Sequence, residues 1–198
     1  MPTGVVFRDA REQLFEAAER VLLRDGPSAL TSRAVTTEAG CAKGVLHRHF
    51  TDFDGFLAEL VQDRIAGIDS RSAALRDAAG TDTVTENLTR ALTGLFRPVA
   101  VAIVGLVTSR DELRARLRRT TPAGVPLLTE ATAMIASYLT AERELGRLAP
   151  DTAVDTLAPT LIGAAHMVFA DRKGTPPQAD AVRGVVTAVV TGAVSEPL

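Results

Sequence analysis

Two of the chain's three histidines, its single cysteine and one of its two lysines fall between Leu30 and Phe50, in the stretch LTSRAVTTEAGCAKGVLHRHF. These residue types build metal sites and nucleophilic centres. On a helix, however, residues two apart point about 200° from each other. His47 and His49 therefore do not grip one ion, and the stretch offers no further ligand at the three- or four-residue steps a metal needs. No metal is expected. Cys41 would act as a nucleophile or redox sensor only beside a base and in an electropositive setting. Lys43 and His47 provide such a setting, but Cys41 falls in a turn where a small apolar plug is wanted. The chain has no G-x-S-x-G, H-E-x-x-H, phosphate-loop or dinucleotide glycine pattern. Neither an enzyme nor a cofactor is expected.

The elements that position these side chains are helices. From Arg8 to Arg24, Leu14, Phe15, Ala18, Val21 and Leu22 recur at three- and four-residue steps, and Gly26 and Pro27 end the run. Thr31 reads as an N-cap, with Leu30 and Val35 placed to staple the next helix. Gly40 stops that helix, and a short third helix covers about 43–49. On its wheel Leu46 and Phe50 share the core face. Gly44, Val45 and Arg48 point away, and Lys43 and His47 flank them. The preceding helix adds Thr31, Ser32, Arg33 and Thr36. A helix, a glycine-containing turn and a short helix make a helix-turn-helix, whose second helix enters a major groove. Arg48 is suited to guanine and Val45 to a thymine methyl. Thr31, Arg33, Lys43 and His47 are suited to phosphates, and Gly44 allows close approach.

Composition is compatible with this. The chain has 198 residues, 46% hydrophobic and 23% charged, with net charge −2. That allows one large domain or two small ones with a substantial core, so any polyanion must be met by local charge. Residues 30–50 supply it, with Arg33, Lys43 and Arg48 against Glu38 alone. The first residues lack a basic start followed by an apolar run. The longest apolar stretch, from Pro98 to Val107, is about half of the ~20 residues a membrane span needs. With one cysteine, a cytoplasmic protein without a membrane partner is expected.

The stretch at 30–50, followed by TDFDGFLAELV, resembles the DNA-binding domain of the TetR family of bacterial transcriptional regulators over about Arg8 to Val61. The shared pattern is Thr31, Ala39-Gly40, Lys43-Gly44, Leu46 and His49-Phe50. Ala42, Val45, His47 and Phe53 depart from it, standing where serine, a small hydroxyl residue, tyrosine and lysine are usual. The resemblance implies a homodimer whose larger C-terminal domain binds a small molecule, and ligand-driven separation of the two reading helices. It also implies an all-α chain of about nine helices, with residues 1–52 as the helix-turn-helix domain and 53–198 for ligand binding and dimerisation.

The remaining sequence fits independently. Thr83–Glu86, Ser109–Glu112 and Thr175–Gln178 have capping-box spacing, which predicts helix starts near 83, 110 and 176. Pro126 and Asp151 suggest two more. Asp151 and Asp155 read as complementing that last helix's dipole from one face. Residues 110–119 are basic and read as a solvated helix with Leu113 and Leu117 inward. The apolar segments at about 151–171 and 178–194 need cover, which predicts a two-fold dimer and a pseudo-palindromic operator. Walls of a ligand pocket are sought in Phe96, Ile103, Met134, Tyr138, His166 and Phe169, for a largely apolar ligand. The reading is thus a DNA-binding regulator, a repressor released by a small-molecule inducer. The alternative is a helical small-molecule-binding or interaction protein that has lost sequence-specific DNA binding.

Overall fold

The first helix buries Leu14, Phe15, Ala17, Ala18, Val21 and Leu22, the stripe its spacing predicts. The computed structural model describes residues 10–170, 177, 179–191 and 193. Among them are ten α-helices and one 3₁₀ turn, at Pro27–Ala29. The helices are α1 (Ala10–Asp25), α2 (Ser32–Glu38), α3 (Gly44–His49), α4 (Phe53–Asp77), α5 (Val84–Leu95), α6 (Pro98–Ser109), α7 (Asp111–Leu117), α8 (Leu128–Glu144), α9 (Val154–Ala170) and α10 (Ala179–Val190).

Packing follows the apolar faces. α1, α2 and α3 form a small unit at one end. α4, the longest helix, runs from that unit into a bundle with α5, α7, α8, α9 and α10, while α6 lies against both α1 and α9. Phe15 of α1, Phe50 after α3 and Phe56 of α4 share one cluster, with centroids 4.9–5.8 Å apart. Such rings contribute specific geometry as well as buried area. α6 covers the apolar stretch from Pro98 to Val107, and Ile103, Leu106 and Val107 are fully enclosed. No single described helix is long and apolar enough to cross a membrane. α5 and α6 together reach the length but are bent by 63° at their junction.

Several predicted boundaries move. Thr83 caps α5 as expected, accepting from the Glu86 N–H at 3.1 Å. Ser109 does not cap α7. It is still the last residue of α6, and its hydroxyl donates to the Leu106 carbonyl at 3.0 Å. α8 starts at Leu128, where the Glu130 carboxylate accepts from the Leu127 N–H at 2.7 Å. α9 starts at Val154, so Asp151 lies outside the helix and shares no helix face with Asp155. Thr152 N–H is bonded back to Ala149 at this point, which delays the start. The start near 176 lies outside the described residues. Ala193, read as part of the last helical stripe, lies beyond the end of α10.

Candidate nucleic-acid interface

Thr31 accepts the Ala34 N–H at 3.2 Å, and so begins α2 as its type predicts. Leu30 and Val35, the two staple residues, are buried. The turn after α2 is closed by two backbone bonds, Gly40 N–H to Thr37 and Cys41 N–H to Thr36, at 3.1 and 3.0 Å. This pattern needs a left-handed residue, and Gly40 sits at φ 65°. Cys41 is half-buried and packs against the core, as a plug would. No side chain caps α3, as expected with alanine at 42.

α3 is pinned by Leu46 and, just past its end, Phe50, both buried. Lys43, Gly44, His47, Arg48 and His49 are exposed, and Val45 is half-buried. On α2, Thr31 and Arg33 are exposed. Thr36, expected to offer its hydroxyl outward, is instead buried and donates to the Ser32 and Arg33 carbonyls at 2.9 and 3.2 Å. A mid-helix threonine satisfies itself in this way.

The electrostatics of this surface depend on where Glu38 points. Arg20 and Arg24 of α1 donate to its two oxygens at 2.8 and 2.9 Å. These bonds hold its carboxyl below the usual range. The one acid of the 30–50 stretch is thus turned back onto α1. Among the described residues Arg33, Lys43 and Arg48 make no ion pair. The other basic cluster is differently used. Arg116 bonds Asp52 at 2.6 Å, and Arg110 lies over the Phe53 ring at 5.4 Å. Leu113 and Leu117 face inward as predicted. The cluster therefore ties α7 to the start of α4.

A second concavity lies between α1 and the bundle. It measures about 600 Å³ and is lined from α1, α4, the α5–α6 junction, α6 and the start of α8. Phe96 and Ile103 line it; Met134, Tyr138, His166 and Phe169 do not. Phe96 stacks on Phe169 at 5.5 Å and leans on His166 at 5.9 Å, so these two back its wall. Burial holds the His166 imidazole below its ordinary pKa. Tyr138 is fully buried and donates to the buried Glu142 carboxylate. Burial, reinforced by that carboxylate, pushes its hydroxyl well up. The sequence reading missed the charged lining, Glu12, Glu16 and Glu19 from α1 with Asp63 and Arg64 from α4. The i, i+4, i+7 spacing of the three glutamates was the available signal. Among the described residues no cluster of three His, Cys, Asp or Glu could hold a metal.

Comparison with known proteins gives the same picture. Residues 14–60 match the model of bacterial regulatory proteins, tetR family. No curated protein matches the chain. The chain is similar in fold to Escherichia coli NemR in its reduced form (TM-score 0.75, 14% identity, covering 96% of this chain and 100% of that one). A transcriptional regulator from Rhodococcus sp. Rha1 gives TM-score 0.70, 18% identity and coverage of 95% and 100%. Bacillus subtilis FadR, solved in complex with stearoyl-CoA, gives 0.69, 17%, 91% and 98%. The helix-turn-helix thus lies within a segment, residues 14–60, that belongs to the DNA-binding domain of the tetR family of bacterial regulatory proteins, and the whole helical arrangement shares the fold of these structures.

Proposed function

We propose that the chain is a repressor that binds a pseudo-palindromic operator as a homodimer and is released by a small, largely apolar ligand. One observation carries the DNA contact: Arg33, Lys43 and Arg48 stand exposed and without ion pairs among the described residues, while Glu38 is bonded away on α1. In this reading Arg48 reads guanine and Val45 a thymine methyl. Gly44 lets the α3 backbone approach, and Thr31, Arg33, Lys43 and His47 hold phosphates.

Dimerisation is assigned to α9 and α10. Their inward residues are buried, but Pro159, Thr160, Gly163 and Met167 on α9 and Gly184, Thr187 and Ala188 on α10 face outward. Small residues of this kind permit close helix approach, and exposed Met167 marks an apolar face. A two-fold axis through this face presents one α3 per subunit. Residues 1–52 are the reading unit and 53–198 the ligand-binding and dimerisation unit, with Phe56 of α4 reaching back into the first unit's aromatic cluster. The ligand site is the cavity at α1, α4, α6 and α8, with Phe96 and Ile103 in contact and Met134, Tyr138, His166 and Phe169 supporting the wall or core.

The test is DNA binding by the purified chain to selected genomic fragments. A repeated half-site in inverted orientation supports the reading. Sequence-blind binding instead favours a helical ligand-binding protein that no longer reads an operator, the reading for which uncapped α3 and its four departures speak.

A further inference from the structure

Between Glu112 and Glu130 the chain carries four arginines and no acid. Two of the four are used inside the fold: Arg114 bonds Asp111, and Arg116 bonds Asp52 at 2.6 Å. Arg118 and Arg119, just past the end of α7, are exposed and make no ion pair or side-chain hydrogen bond among the described residues. Their backbone is held in a closed turn. Arg118 N–H donates to the Arg114 carbonyl at 3.1 Å, Arg119 N–H to the Arg116 carbonyl at 3.3 Å, and Thr121 N–H to the Leu117 carbonyl at 2.8 Å. Glu130 is engaged elsewhere, accepting from the Thr121 hydroxyl at 2.6 Å and the Leu127 N–H at 2.7 Å. Two nearby carboxylates make no ion pair among the described residues. Asp54 belongs to the first turn of α4, and Glu112 stands at the opposite end of α7, about 9 Å along its axis from Arg118. A guanidinium meets a phosphate through paired N–H···O bonds, so two free ones can act there without a net positive field.

The place of this turn suggests what the two arginines meet. α7 lies against the first turn of α4: Arg116 bonds Asp52, the cap of α4, and Arg110 lies over the Phe53 ring at 5.4 Å. Only Phe50, Thr51 and Asp52 separate α3 from α4, so Asp52 stands within about 11 Å of His49, the last residue of α3. A six-residue helix is about 9 Å long, and a major groove is about 12 Å wide. With α3 in the groove, the chain leaving its C-terminal end passes a wall of phosphates, and the α7 exit accompanies it. The first turn of α4 brings no cation of its own to that wall, since its residues are Phe53, Asp54 and Gly55. We propose that Arg118 and Arg119 form a second DNA contact, made by the bundle rather than by the reading unit, on the phosphates beside the groove that α3 enters. The proposal rests on the operator reading above for the placement of α3. The contact carries no base selectivity; it adds affinity and fixes how the bundle sits over the duplex.

The test is a salt titration of the full chain on two duplexes of equal length, the best selected genomic fragment and a random sequence. The chain is compared with the double variant Arg118→Gln/Arg119→Gln and with Arg76→Gln. Arg76 is an exposed arginine without an ion pair among the described residues, about 35 Å along α4 from Phe53. That is several Debye lengths at 0.1 M salt. On both duplexes the double variant should lower the salt slope by about two, one for each phosphate contact. Its preference for the selected fragment over random DNA should hold, and its thermal melt should match that of the unaltered chain. Arg76→Gln should leave the slope unchanged. A double variant with the original slope overturns the proposal, as does an equal fall in Arg76→Gln, which would make the effect one of net charge. Selective binding with an unaltered slope removes the second contact and leaves the operator reading standing. A slope that falls by two without any preference between the duplexes keeps the contact and removes the operator reading. No binding to either duplex overturns both.

Discussion

Arg48 and Lys43 sit one helical turn and a residue apart, yet they should respond differently to truncation. Arg48→Ala should cost about 1–3 kcal/mol at one base position and leave other positions untouched. Lys43→Ala should weaken all sequences alike and reduce the salt slope by about one unit. Binding to a panel of single-base operator variants at several salt concentrations reads both effects. Thr31→Ala should also lower stability by ~1 kcal/mol in a thermal melt, because the Ala34 N–H loses its partner, while Thr31→Ser should restore it. The face of α3 was legible because six residues pinned by Leu46 and Phe50 have few ways to turn. Thr36 was not, because a threonine hydroxyl competes for its own helix's carbonyls, and residue type alone does not say which use wins.

At the scale of elements, caps and buried polar clusters fix where helices begin and what they lean on. Asp52 starts α4 by accepting the Gly55 N–H at 2.7 Å, and Arg116 of α7 holds its other oxygen. The Gly55 N–H, followed by Arg116, holds the Asp52 carboxyl below the usual carboxylate range. The sign follows directly. A depressed folded-state pKa gives stability that is fully present above the ordinary Asp range and is lost as pH falls through the depressed value. Melts of the wild type and Asp52→Asn should thus differ at neutral pH and converge in acid. The far end of α8 carries a second polar cluster. Buried Glu142 accepts from Tyr138, and Arg147 lies 3.3 Å away while also bonding the Thr81 carbonyl. Tyr138→Phe should destabilise the fold by about 1–3 kcal/mol, measured by denaturant titration, because Glu142 is left short of a donor. Thr83 was readable as a cap because it precedes its helix cleanly. Ser109 was misread because α6 had not yet ended, and Glu142 was invisible because a glutamate in a helix ordinarily reads as surface.

For the whole molecule, the proposed dimer rests on the outward faces of α9 and α10. Sedimentation should find a dimer, and Gly163→Arg should produce a monomer with unchanged helix content, since a long charged side chain there keeps α9 from approaching a neighbour. A dimer that survives this change would move the interface elsewhere. The all-helical layout was legible from periodicity. The cavity was not, because its lining comes from four separated stretches and its location depends on how α1 meets α6, which no local pattern encodes. Sequence reasoning sought the pocket walls in Phe96, Ile103, Met134, Tyr138, His166 and Phe169; the cavity takes Phe96 and Ile103 from that set and adds a lining from α1 and α4.

The measurement that bears most directly on the regulator reading is selection of genomic fragments by the purified chain, with the best fragment then titrated across salt concentrations. The expected result is a site with two inverted half-sites, bound well above random DNA, whose preference persists as salt rises. Weak binding to all fragments alike, vanishing with salt, would mean that the exposed arginines and lysine touch phosphate only, and would contradict operator recognition by α3.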